Sequence, residues 1–117
     1  MIESLKGKRV LITAGAGGIG LAIARKFLAA GAQVHICDVA AEAVQAAVRA
    51  HAGLSGRVRD VADEAQVLAM FAELAERWGK LDALVNNAGV SGPTRRLQDT
   101  GLRAGEATLD VILSGTF

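Results

Sequence analysis

The sequence of 117 residues contains no tyrosine, one proline, one cysteine and few aromatic residues. A lone cysteine, Cys37, excludes an internal disulfide framework. The formal net charge is +1, so the basic face of a nucleic-acid-binding protein is missing. No apolar run reaches membrane-spanning length, and the first ten residues lack the apolar core of a signal peptide. No spacing of His, Cys, Asp or Glu suggests a metal site. We therefore expect a soluble cytoplasmic protein without a metal.

Short β-branched runs alternate with longer alanine-rich stretches along the first 85 residues. The runs with strand character are Arg9–Thr13, Gln33–Cys37, Arg57–Arg59 and Leu81–Val85. The stretches with helical spacing are Leu21–Ala30, Ala40–His51 and Asp63–Trp78. This alternation predicts parallel strands, right-handed crossovers and helices on both faces of one sheet. The length suits a single α/β domain over residues 1–117.

The character of the sequence changes after residue 89. Residues 90–106 are polar and contain the only proline, Pro93, which predicts a loop. Residues 107–117 (ATLDVILSGTF) are more apolar, and we interpret them as the opening turns of a helix. The isolated Cys37 is interpreted as a small buried strand residue, His35 as a strand residue, and His51 as a helix-end residue.

Four glycines lie close together between the first strand and the first helix. The string Gly15-Ala16-Gly17-Gly18-Ile19-Gly20 matches G-x-G-x-x-G. The match is weak alone, but it follows a predicted strand and opens a predicted helix. Glycines allow close approach to a pyrophosphate, and a helix start offers unpaired N–H groups and a positive dipole end. The string therefore predicts a dinucleotide site; the alternative is a tight turn with no ligand.

An acidic residue, Asp38, stands at the end of the second predicted strand, eighteen residues after Gly20. A carboxylate there can accept hydrogen bonds from both hydroxyls of an adenosine ribose. Its charge would repel a 2′-phosphate, and the next residues, Val39 and Ala40, supply no cation. We therefore predict NAD rather than NADP as the cofactor. The alternative is that Asp38 only caps the following helix.

A second motif, Asn86-Asn87-Ala88-Gly89, ends the fourth predicted strand. The carboxyl edge of an open parallel sheet is where ligands bind. Two amide side chains there can tie strand ends together and also face a cofactor. The alternative interpretation is a polar turn.

The sequence resembles the short-chain dehydrogenase/reductase family from about residue 5 to the end. The resemblance rests on Thr13 with Gly18 to Gly20 (the family's T-G-x-x-x-G-x-G), on Asp38, on the pair Asp60-Val61 and on the N-N-A-G at 86–89. It implies a Rossmann-type three-layer sheet with strand order 3-2-1-4. It also implies hydride transfer between NAD and a small alcohol or carbonyl substrate.

The resemblance assigns roles to particular residues. Gly18, Ile19 and Gly20 would contact the pyrophosphate and the nicotinamide side, Asp38 the ribose, and Asp60 with Val61 the adenine. Asn86, Ala88 and Gly89 would line the adenosine ribose side. The complete candidate cofactor set is Thr13, Gly15, Gly17, Gly18, Ile19, Gly20, Asp38, Asp60, Val61, Asn86, Asn87, Ala88 and Gly89.

The sequence also departs from the family pattern. Ala14 stands where the first loop glycine is expected, so we expect Gly15 to take over the turn. Ile112 replaces an asparagine that helps to organise the proton relay. The family's acid–base tyrosine, in Tyr-x-x-x-Lys, has no counterpart, since the sequence contains no tyrosine. No residue is therefore assigned as catalytic.

These departures favour a truncated cofactor-binding half of an NAD-dependent dehydrogenase, inactive by itself. The alternatives are a stand-alone or degenerate nucleotide-binding module and, less favoured, a methyltransferase, against which the Asn-Asn-Ala-Gly strand end argues. A sheet of four strands would leave Leu81–Val85 as an exposed apolar edge. We therefore expect homo-oligomerisation or association through that edge.

Overall fold

Residues 5–88 and 108–113, which a computed structural model describes, form five strands and three helices. In chain order these are β1 (Arg9–Thr13), α1 (Gly18–Ala29), β2 (Gln33–Asp38), α2 (Ala41–Ala50), β3 (Leu54–Val58), α3 (Glu64–Trp78), β4 (Ala83–Ala88) and β5 (Thr108–Leu113). The strands form one sheet in the order β3-β2-β1-β4-β5. The first four strands are parallel to one another, and their pairing confirms the predicted order 3-2-1-4.

Alternate residues of β1 face two separate cores. Val10 and Ile12 pack with buried residues of α1 and α2 on one face of the sheet. Leu11 packs on the other face with the α3 residues Met70 and Leu74. A strand covered on both faces is apolar at every position rather than at alternate ones. This explains the continuous apolar run at 10–12 and confirms the three-layer arrangement.

The two ends of α3 are set by local sequence. Asp63 is its N-cap, and its Oδ1 accepts hydrogen bonds from the backbone N–H groups of Ala65 (3.0 Å) and Gln66 (3.4 Å). Gly79 ends the helix in the left-handed conformation, with φ +78°. Glycine adopts this conformation without a steric cost. These signals explain why the predicted and observed helix ends agree.

The prediction of a helix over residues 107–117 is wrong, because residues 108–113 form β5, antiparallel to β4. A short, mostly apolar segment with β-branched members suits either a strand or a buried helix. The segment forms a strand rather than a helix because it pairs with β4, in a register that places Ile112 opposite Leu84. The sheet therefore has five strands where about four were expected, and the expectation of an exposed β4 edge is wrong. The loop predicted at 90–106 lies outside the described residues.

Two strand boundaries also differ from the prediction. The third strand begins at Leu54 rather than Arg57, and the fourth extends to Ala88. Both Asn86 and Asn87 thus lie inside β4. None of the helices in the described part of the chain is long and apolar enough to cross a membrane.

Cys37 is buried on β2, as predicted, and His35, predicted only to lie in a strand, is buried there as well. His35 is 3% exposed, its Nδ1 lies 2.7 Å from Ser55 Oγ, and its ring meets Trp78 edge-on. Burial, together with the charges of nearby arginines, lowers the pKa of His35 to about 4. Burial raises the pKa of the Cys37 thiol to about 11, so it stays protonated and unreactive at neutral pH.

The low pKa of His35 predicts a loss of stability in acid. Between pH 6.5 and 4 the unfolded chain binds a proton at this imidazole that the folded chain does not, so the free energy of unfolding decreases as pH falls. The loss reaches about 3 kcal/mol by pH 4. Urea denaturation of the wild type and of His35→Gln, at several pH values, measures it. The variant is expected to show a flatter dependence in this window.

The matched control for this measurement is His51→Gln, at the C-cap of α2. It removes the only other imidazole of the sequence, so any pH dependence that this variant abolishes does not belong to His35. A wild-type slope that persists in His35→Gln would contradict the assignment.

Candidate functional site

The carboxyl ends of β1, β2 and β4 meet at one edge of the sheet, because the strands are parallel. This edge brings together the glycine-rich turn after β1, Asp38 at the end of β2, and the two asparagines of β4. Residues far apart in sequence therefore come together at this edge, and we call the space beside them the crevice. Open α/β sheets bind ligands at this position.

The hydroxyl of Thr13 joins the ends of β1 and β4. Thr13 Oγ1 donates to Asn86 Oδ1 (3.1 Å) and accepts from the Asn87 backbone N–H (2.9 Å). Asn87 also donates from Nδ2 to the Ala14 carbonyl (3.3 Å). Thr13 and Asn87 are each 6% exposed, whereas Asn86 is exposed at the crevice. Thr13 and Asn87 thus hold the two strand tips together, and Asn86 remains accessible.

The chain turns away from β1 at Ala14, which has φ +53°. This left-handed conformation costs an L-residue about 1–2 kcal/mol. The expectation that Gly15 would take over the turn is wrong, because Ala14 adopts the positive φ itself. Gly15 is required for space instead, since a Cβ there would lie 2.6 Å from Ile36 Cγ2. Gly18, with φ +57°, supplies the second left-handed position.

Gly20 allows α1 to lie directly against the turn. A Cβ at Gly20 would overlap the Ala14 carbonyl oxygen and lie 2.8 Å from Asn87 Nδ2. A Cβ at Gly17 or Gly18 would meet no atom within 4 Å. The turn is therefore tightly packed against the protein at Gly15 and Gly20 and open toward the crevice at Gly17 and Gly18.

The start of α1 is suited to an anion. Its N-cap residue, Gly17, has no side chain to cap the helix, and its first turn carries no acidic residue. The backbone N–H groups in the first turn of a helix have no carbonyl of the same helix to donate to. The positive end of the helix dipole adds to their attraction for a phosphate. Ile19, in the first turn, is 58% exposed.

The carboxylate of Asp38 faces the glycine turn. Its Oδ2 accepts from the Ala16 backbone N–H (3.1 Å), and its Oδ1 accepts from the Ala40 backbone N–H (3.3 Å). Asp38 thus contacts the segment leading into α2 but reaches the glycine turn as well, so helix capping is not its only contact. The sequence did not identify the Ala16 N–H as a hydrogen-bond partner of Asp38, because almost any residue type supplies a backbone donor.

Asp60 and Val61 form the turn between β3 and α3. Asp60 Oδ1 accepts from the Ala62 backbone N–H (2.9 Å), and the Asp60 N–H donates to Gln66 Oε1 (2.8 Å). Val61 is 47% exposed. The neighbouring Arg59 N–H donates to the Asp38 carbonyl (3.0 Å), so this turn lies beside the end of β2. An exposed apolar side chain at this point is available to a flat ring.

The remaining predicted positions lie at or beyond the end of β4. The backbone of Ala88 ends the strand, opposite Thr108 of β5. Gly89 lies outside the described residues.

The packing around α1 predicts unequal effects of two glycine substitutions. Gly20→Ala forces the helix away from the Ala14 carbonyl and is expected to lower the free energy of unfolding by about 2–3 kcal/mol. Gly17→Ala adds the same methyl group where nothing lies within 4 Å, so its cost is expected to stay below about 1 kcal/mol. Urea denaturation measures both. Equal losses would contradict the close approach at Gly20.

The chain matches the family model described as short chain dehydrogenase over residues 8–117. It is 37% identical over 111 residues to L-fucose dehydrogenase of Bos taurus, covering 95% of this chain and 41% of the relative. The structure is similar to 2-keto-3-deoxy-D-gluconate dehydrogenase from Streptococcus agalactiae, with a TM-score of 0.70 and 38% identity, covering 79% of this chain and 36% of that one.

It is also similar to RhlG of Pseudomonas aeruginosa, whose structure is an active-site complex with NADP. The TM-score is 0.68 at 38% identity, covering 75% of this chain and 37% of that one. The chain spans less than half of the length of these relatives. Matches in sequence and in fold agree, and the chain belongs to the short-chain dehydrogenase/reductase family.

Proposed function

We propose that this chain binds NAD in the crevice at the carboxyl edge of the sheet. In this proposal it supplies the dinucleotide-binding part of a dehydrogenase that acts on an alcohol or carbonyl substrate. The observation that carries the proposal is the position of the Asp38 carboxylate, 3.1 Å from the Ala16 backbone nitrogen in the glycine turn. A ribose held by that carboxylate would place the adjoining pyrophosphate against the start of α1.

The open side of the turn fits this cofactor. Gly17 and Gly18 have no Cβ to obstruct a pyrophosphate, and the first amides of α1 are free to bind its oxygens. Asn86 and the backbone of Ala88 would line the ribose side, next to the turn. The exposed Val61 would lie against the adenine, with Asp60 holding its turn in place. Gly89, as the end of the N-N-A-G motif, belongs to the same proposed set.

Charge at the ribose position favours NAD over NADP. The Asp38 carboxylate would repel the 2′-phosphate of NADP, while a ribose hydroxyl would donate to it. The nearest following side chains, Val39 and Ala40, carry no positive charge. Family membership alone does not choose between the cofactors, since RhlG is described as a complex with NADP.

Bound NAD would supply the hydride acceptor or donor, and the residues described above would hold and orient it. The sequence contains no tyrosine, so the acid–base residue of the family is not among these 117 residues. We propose that proton transfer and substrate binding depend on residues outside this sequence. A non-catalytic nucleotide-binding module would bind the cofactor in the same crevice without hydride transfer.

Cofactor preference is measured by titrating the purified protein with NAD and with NADP in a calorimeter. Wild type is expected to bind NAD at least about tenfold more tightly, because a single charge contact is worth about 1.4 kcal/mol or more. Asp38→Ala is expected to reduce this ratio toward one. Glu42→Gln removes a nearby exposed charge in the first turn of α2 and should leave the ratio unchanged. Tighter binding of NADP by the wild type would overturn the preference.

A further inference from the structure

The glycine turn is attached to the end of β2 at two consecutive residues. The Gly15 backbone N–H donates to the Cys37 carbonyl (3.1 Å), and the Ala16 backbone N–H donates to Asp38 Oδ2 (3.1 Å). Ala16 is 6% exposed. The next residue, Gly17, faces open space. The Asp38 carboxylate therefore makes the last of these contacts before the turn opens into the crevice.

This contact stabilises a strained segment. Ala14 holds a left-handed conformation that an alanine avoids, and such strain persists only where the surroundings determine it strongly. Thr13 and Asn87 hold the turn from the β4 side. From the β2 side it is held by the Cys37 carbonyl and by the carboxylate of Asp38. Without that carboxylate, the buried N–H of Ala16 loses its acceptor.

We infer that Asp38 is a positioning residue for the glycine turn, holding the Ala16 amide in place before any cofactor arrives. This inference rests on the proposed function and extends it. Each carboxylate oxygen has two lone pairs, so the bonds to Ala16 and Ala40 leave capacity for ribose hydroxyls. One side chain thus shapes the pyrophosphate site and selects the sugar.

The two roles have different consequences for cofactor exchange. If Asp38 acted only on the ribose, Asp38→Ala would remove a repulsion and increase the affinity for NADP. Because the carboxylate also holds the turn, the variant loses part of its affinity for every ligand that uses the turn. In Asp38→Ala, the change in the ratio of the NAD and NADP affinities is therefore accompanied by weaker binding of both cofactors.

The decisive probe is an NAD analogue that lacks both hydroxyls on the adenosine ribose. With this analogue the direct contact to the sugar is absent, and only the effect of Asp38 through the turn remains. Asp38→Ala is expected to bind the analogue about tenfold more weakly than the wild type does. Glu42→Gln should bind it with wild-type affinity. Equal affinity of the wild type and Asp38→Ala for the analogue would overturn the inference.

Hydrogen–deuterium exchange of the ligand-free protein provides a second measurement. The amides of Gly15 and Ala16 are expected to exchange at least about tenfold faster in Asp38→Ala, while those of α3 are unchanged. Unchanged exchange at these two amides would overturn the inference. This readout separates the two proposals, because a wild type that binds neither NAD nor the analogue refutes the proposed function, whereas the exchange comparison still decides the role of Asp38.

The variant Asp38→Asn covers the case in which Asp38→Ala fails to fold. An asparagine replaces one of the two acceptor oxygens with an NH₂ group, so Ala16 and Ala40 no longer each have an oxygen of their own. Its affinity for the analogue and the exchange of its Gly15 and Ala16 amides are expected to lie between those of the wild type and the alanine variant, with changes of about threefold. Wild-type values in both measurements would overturn the inference.

Discussion

The sharp turn at Ala14 is the constraint on which the rest of the site depends. Its positive φ lets the chain leave β1 and enter α1 within a few residues, so the first turn of the helix meets the crevice. The turn is held by Asn87 from one neighbouring strand and by Asp38, through Ala16, from the other. A local conformation that alanine disfavours is thus maintained by contacts from residues distant in sequence.

The parallel strands and the two layers of helices could be predicted from the alternating apolar runs and the handedness of crossovers, whereas the strand order was predicted from the resemblance to the family. β5 could not, because its short apolar run suits two structures and its pairing with β4 is a tertiary contact. The glycine pattern located the turn but not its geometry. The sequence alone shows neither that Ala14 adopts the positive φ nor that Gly15 lies too close to Ile36 for a Cβ.

The two faces of the sheet differ in chemical character. The α1 and α2 face is built mainly from small aliphatic residues, which allow the helix at the crevice to lie close to the strands. On the α3 face, Cys37 and His35 of β2 lie beneath the helix, and Trp78 at the end of α3 contacts the His35 ring edge-on. Arg59, at the end of β3, pairs with Glu73 of α3 at 2.8 Å and ties this helix to the edge of the sheet. The buried titratable groups His35 and Cys37 therefore both lie on the α3 face of the sheet.

The edge-on contact between His35 and Trp78, with ring centroids 6.4 Å apart, gives the chain an intrinsic optical reporter. Trp78 is the single tryptophan and there is no tyrosine, so ultraviolet emission originates at this one indole. Because Trp78 is packed in the α3 core, its emission spectrum follows the integrity of that layer. Protonation of the adjacent imidazole would quench the same signal, so acid titration of the fluorescence observes a buried histidine directly.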